Sequence, residues 1–194
     1  MTKTRRIPRW SVVALLLAAA CATPPTRAYP EIGFAHLPPI RLAVGRIEVV
    51  ERYRPPGTAP NIDHRLAQPP VAVMRRWAAQ RLAAAGGDGV ARAIIDDASI
   101  LEEPVQQSPG LTGLLSVEQS ERYTARLAMT IEVDAPGGRG NANAVAERSV
   151  TVLEDATLAE IEDAWFRLVE SSAGDLDREL EANIRRHLGL FVVQ

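Results

Sequence analysis

Tyr123-Thr124-Ala125-Arg126-Leu127-Ala128-Met129-Thr130-Ile131-Glu132-Val133-Asp134 alternates without a slip, with Tyr123, Ala125, Leu127, Met129, Ile131 and Val133 on one side and mostly polar residues on the other. Successive side chains of a strand point to opposite faces, so this stretch reads as a strand with one face on a core and one in water. The turn-rich run Pro136-Gly137-Gly138-Arg139-Gly140-Asn141 follows, and residues 142–153 resume a strand pattern, which predicts an antiparallel hairpin. Upstream, residues 90–101 are rich in small and β-branched side chains and read as another strand. Residues 40–53 read as a first strand, with Ile40, Leu42 and Val44 alternating and the pattern resuming at Ile47 and Val49 after a bulge expected at Gly45.

Two helices complete the pattern. Pro70 suits a first helical turn, and over residues 71–85 Met74, Trp77, Ala78, Leu82 and Ala85 share one face until Gly86-Gly87 stops the helix. Thr157 and Glu160 have the spacing of a capping box, opening a helix in which Leu158, Ile161, Trp165, Leu168, Ser172, Leu176, Leu180, Ile184 and Leu188 repeat every three or four residues. Residues 157–188 span about 48 Å as a helix, longer than expected of a small sheet, so a kink near Ser171 to Gly174 or an overhanging end is expected. The order strand, helix, three strands, helix gives an α+β fold. It consists of a four-stranded mixed sheet with two helices packed on one face, the first two strands lying parallel through a right-handed crossover.

The N-terminus is a separate matter. A basic stretch from Lys3 to Arg9, an apolar run from Trp10 to Ala20 and small residues ending at Cys21 follow the order of an export signal, and the apolar run is too short to span a bilayer. Leu17-Ala18-Ala19-Ala20-Cys21 resembles the lipobox of bacterial lipoproteins, although the expected leucine stands one place early; the plainer reading is ordinary signal-peptidase cleavage at an A-x-A site. The resemblance implies diacylglyceryl transfer to Cys21, the chain's one cysteine, and anchoring through acyl chains. Ala22 stands where the enterobacterial type uses an aspartate for inner-membrane retention, which implies an outer-membrane location facing the periplasm. Arg5-Arg6 is followed by Pro8 and Arg9 instead of the apolar residues of a twin-arginine signal, favouring the general secretory route. The expected organisation is a signal peptide at 1–20, a lipidated cysteine and Pro-rich tether at 21–39, and the α+β domain at 40–194.

Composition narrows the chemistry. Removing residues 1–20 leaves 18 basic against 24 acidic residues and no lysine, since the one lysine is Lys3. That excludes a Walker-A loop, a Schiff-base lysine and an S-x-x-K nucleophile, and an acidic chain gives no support to nucleic-acid binding. Gly137-Gly138-Arg139-Gly140 joins two strands and opens no helix, so it lacks the geometry of a phosphate loop. His36, His64 and His187 have no partner at ligand spacing, and neither a metal nor another cofactor is expected. Asp63-His64 lacks a nucleophile motif and reads as surface loop. Asp96 with Asp97, and Glu102 with Glu103, are neighbours expected on opposite strand faces, unable to flank one bond. Trp77 and Trp165 lie on apolar helix faces and read as core. Arg148 shares a face with Ala144, Ala146, Val150 and Val152; it needs a carboxylate or carbonyl partners there if that face is buried and is a plain surface residue if it is open.

The element order resembles small α+β envelope lipoproteins such as the lipopolysaccharide-transport outer-membrane lipoprotein and the auxiliary lipoproteins of ABC transporters. Gln119-Ser120-Glu121-Arg122-Tyr123 and Glu147-Arg148-Ser149-Val150-Thr151-Val152 are similar to stretches of uncharacterised proteobacterial lipoproteins. These resemblances imply a non-enzymatic accessory or assembly component of an envelope transport complex, held to the membrane by its lipid. A lipid or lipopolysaccharide carrier and an envelope hydrolase are the alternatives. Leu111, Leu114 and Leu115, set among turn residues in the 105–120 linker, are candidates for contacting a partner or folding back over the sheet edge.

Overall fold

Three long strands set the dimensions of the molecule. The computed structural model describes residues 28–105 and 119–193; Cys21, Leu111, Leu114 and Leu115 lie outside the described residues. The elements are β1 (Ile40–Leu42), β2 (Arg46–Glu51), α1 (Pro70–Arg81), β3 (Leu82–Ala84), β4 (Val90–Pro104), β5 (Gln119–Ala135), β6 (Gly138–Leu153), α2 (Leu158–His187) and β7 (Val192–Val193), with a 3-10 turn at Asp63–Arg65 and another at Gly189–Phe191.

The main sheet has the order β2-β4-β5-β6. β2 runs parallel to β4 and the other two pairings are antiparallel, as the right-handed crossover through α1 predicts. The expected alternation is visible residue by residue: Ala125, Leu127, Met129 and Ile131 of β5 are fully buried. Above them lie α1, over β4, and α2, over β5 and β6. Both helices therefore cover one face. Trp77 of α1 and Trp165 of α2 are buried as core residues, and Trp165 meets Tyr123 edge-on at 5.4 Å between ring centroids.

Four sequence expectations change. Residues 40–53 form two strands in two sheets. β1 pairs parallel with β3 and antiparallel with β7 in a separate three-stranded sheet, and only β2 joins the main one. The cause is at Gly45, whose N–H donates to Gly89 O at 2.8 Å, and where a Cβ would strike the carbonyl oxygen of Gly87. What reads as a bulge is the crossing from one sheet to the other. Secondly, α1 ends at Arg81, and Leu82–Ala84 turns extended to pair with β1. Thirdly, α2 is one helix of 30 residues, about 45 Å long. At about 3.4 Å per residue the 17 residues of β5 exceed that length, so neither kink nor overhang is required. Fourthly, Asp96 and Asp97 share a face. β4 is buried at Ala91, Ala93 and Ile95 and again at Ala98 and Ile100, and the register slips between Ile95 and Asp97. That bulge puts both carboxylates on the side away from the helices.

The Pro-rich stretch is docked from residue 28 on. Residues 28–39 contain no helix or strand, yet Ile32 and Phe34 are buried. Tyr29 stacks on Phe166 at 5.0 Å, Phe34 N–H donates to Gln80 Oε1 at 2.5 Å, and Arg76 donates to Ile32 O at 2.7 Å. Arg81, with no exposed side-chain surface, donates to Pro38 O, to Glu181 and, at 2.7 Å, to Asp177; Trp77 Nε1 donates to the same Asp177 oxygen at 2.8 Å. One buried guanidinium thus ties the incoming chain to both helices.

Candidate functional site

Among the described residues, the main sheet carries its helices on one face and leaves the other without a helix. The side chains of that helix-free face are the outward half of each alternation, so the register dictates its rows. Glu48, Arg92, Glu132 and Asn141 lie abreast across the four strands. Further along come Ser99, Arg126 and Glu147, then Leu101, Thr124 and Ser149.

Opposite charges sit side by side throughout. Arg46 and Arg92 both reach Glu48, at 2.8 and 3.4 Å; hydrogen bonding from Arg46 is the main reason that the Glu48 carboxyl titrates below its usual range. Asp96 accepts from Arg52 at 3.0 Å and from Thr130 at 2.6 Å. Arg126 lies between Asp97 at 3.3 Å and Glu147 at 2.9 Å, while Arg139 reaches Asp134 at 3.1 Å. Thr124 and Ser149 share a hydroxyl hydrogen bond of 3.0 Å. Such exposed pairs add little stability each, and as a network they fix the positions of the charges. Two open hollows of about 390 Å³ interrupt the face, one bounded by Ser99, Arg122, Thr124 and Glu147, the other by Arg92, Glu132 and Arg139.

Among the described residues, the carboxylates singled out by the sequence, Asp63, Asp96, Asp97 and Glu102, are each held by other groups. Asp96 and Asp97 share the face through the bulge, but each is engaged by an arginine. Glu102 and Glu103 do point apart, with Glu102 on the helix side accepting from the Tyr123 hydroxyl at 3.1 Å. Asp63 is buried and His64 exposed; the Asp63 carboxylate accepts from Ile100 N–H at 2.6 Å and from the Tyr53 hydroxyl at 2.6 Å, so it closes a loop and orients no histidine. Among the described residues no three His, Cys, Asp or Glu side chains gather to hold a metal ion. Arg148 points to the helix side but stays exposed, so burial demands no partner there; it nonetheless donates to Asp175 of α2, and that bond lowers the Asp175 pKa and raises that of Arg148.

No family model matches the chain. Nor does any curated protein. Among solved structures, similarity in chain path is found to the rare lipoprotein B from Shewanella oneidensis, with a TM-score of 0.37 and 17% identity, covering 71% of this chain and 92% of that one. A minor lipoprotein from Acinetobacter baumannii gives a TM-score of 0.35 and 14% identity, with 79% and 98% covered.

The sequence locates the face through the strand alternation, yet not its lateral charge rows, because cross-strand neighbours are set by register. The linker leucines Leu111, Leu114 and Leu115 lie outside the described residues.

Proposed function

We propose that the chain is an envelope lipoprotein, anchored through acylated Cys21 at the outer membrane, facing the periplasm, and acting as a non-enzymatic accessory or assembly component of an envelope transport complex. The observation that carries the binding role is the uncovered sheet face, a broad polar surface whose charges are held in register by neighbouring strands and on which Glu48, Asp97 and Glu147 are engaged by arginines. Such a surface suits recognition of a polar protein face. The anchor rests on Leu17-Ala18-Ala19-Ala20-Cys21. A lipid carrier requires an apolar cavity between helices and sheet, and that layer is occupied by Leu127, Met129, Leu176 and Leu180, all buried.

Two measurements test the reading. Cys21→Ser is expected to move the protein from the membrane fraction to the soluble fraction, and retention of the variant on the membrane refutes the anchor. A photo-crosslinking side chain at Thr124, in the middle of the face, is expected to capture an envelope protein in intact cells. Capture from the helix side alone, by the same group placed at Arg167, argues against the face.

A further inference from the structure

The sheet order leaves β6 at an edge, with no strand on its far side among the described residues. Ala135 and Gly138 pair across a two-residue turn, and antiparallel pairs alternate between those that exchange backbone hydrogen bonds and those that do not. Gly140 and Ala142 therefore bond to β5, while Arg139, Asn141, Asn143, Val145 and Glu147 direct N–H and C=O groups away from the sheet. Asn183 of α2 confirms the phase, because its amide reaches round to Asn143 O at 2.8 Å. A long edge is usually guarded by lysine, proline or a bulge. From Gly138 to Glu147 there is no lysine, no proline and no register shift.

The geometry points to a second copy of this chain as the occupant of that edge, β6 pairing antiparallel with its own equivalent about a two-fold axis at Asn143. The register follows from charge. Outward-bonding residues must face one another, which restricts pairing to even steps, and only the register centred on Asn143 sets Arg139 opposite Glu147 of the other copy. It also sets Asn141 opposite Val145. Centring on Val145 instead sets Glu147 against Asn143, and centring on Glu147 opposes two carboxylates. The Arg139 and Glu147 side chains are 82% and 56% exposed, and both lie on the helix-free face.

Existing ion pairs are extended by this pairing, not broken. Asp134 and Arg139 of one copy continue into Glu147 and Arg126 of the other, giving alternating signs across the seam, twice by symmetry. On the helix side the facing residues are Gly140, Ala142, Ala144 and Ala146, small enough for the two sheets to approach. The Asn183 bond to Asn143 is exchanged for backbone hydrogen bonds, about ten in all over the paired stretch. Arg148, turned to the helix side and held by Asp175, ends the compatible segment. The result is a continuous eight-stranded sheet with one unbroken polar face.

The test uses the mature chain with Cys21→Ser, so that an introduced thiol is alone. Sedimentation equilibrium is expected to show a concentration-dependent dimer. Under mild oxidation Asn143→Cys is expected to form a disulfide with itself, Cα atoms about 5.5 Å apart across a hydrogen-bonded pair, while Val145→Cys is not. Arg139→Glu and Glu147→Arg are each expected to weaken the dimer roughly tenfold, and the double variant to restore it. Circular dichroism checks that each variant folds. A protein monomeric at all concentrations overturns the proposal, as does self-crosslinking at 145 in place of 143. Failure of the charge swap to rescue dimerisation overturns the register.

Discussion

Arg81 is completely buried, and its safety there depends on Asp177, one carboxylate oxygen of which serves both the Arg81 guanidinium and the Trp77 indole. Arg81 keeps Glu181 and Pro38 O when Asp177 is removed, so Asp177→Ala is expected to destabilise the fold by about 1–3 kcal/mol, seen as a lower urea midpoint at unchanged slope, with Asp177→Asn losing less because it keeps an acceptor. The phenols of Tyr53 and Tyr123 form a second pair of sensitive residues. Burial, and then hydrogen bonding to Asp63 and to Glu121 with Glu102, push both above the ordinary phenol value of about 10. The folded state thus keeps protons that the unfolded chain gives up at that pH. The stability tied to these protons is complete below about pH 10 and is lost as the pH rises beyond it. Unfolding midpoints are expected to hold level through mild alkali and then fall, and to fall less steeply in the Tyr53→Phe/Tyr123→Phe variant. Residue-scale burial was poorly legible in the sequence: Asp63 stands in a Pro-rich stretch where nothing local signals that Ile100 N–H and Tyr53 will enclose it, and Arg81 looks like any basic residue near a helix end.

Elements with their own local signal were read well. The β5 and β6 alternation, the glycine-rich turn and the Thr157–Glu160 capping box, present with both of its reciprocal bonds, are all written in consecutive residues. Strands of two or three residues have no such signal. β1, β3 and β7 exist because residues 40–42, 82–84 and 192–193 meet in space, and a periodicity argument over either half of the chain extends the helix through Leu82 and the first strand through Gly45. The cost of that meeting is concentrated at Gly45. Gly45→Ala forces a methyl onto the Gly87 carbonyl and is expected to destabilise the fold by about 1–3 kcal/mol, measured as a lower thermal midpoint, whereas the same change at Gly189, where a Cβ meets nothing within 4 Å, leaves it unchanged.

At the scale of the whole molecule the layer order was legible, since one crossover helix and three successive strands admit few topologies. Two global features were not. Strand length was underestimated because β4 and β5 run on into Glu103, Pro104 and Gln119, residues of low strand propensity that pair only because a neighbour is already in place. The docking of residues 28–39 was hidden by the prolines, which signal extended backbone equally well for a free spacer and for a strap laid between helices. That strap changes the mechanics of an acylated chain. With Tyr29 already fastened against Phe166, the six residues 22–27 between Cys21 and the described chain would give the proposed anchor a reach of at most about 25 Å. Under the proposed anchoring, chain length alone would hold the corner carrying Tyr29 within that distance of the bilayer, while strands roughly twice as long would give the far end of the sheet the wider reach.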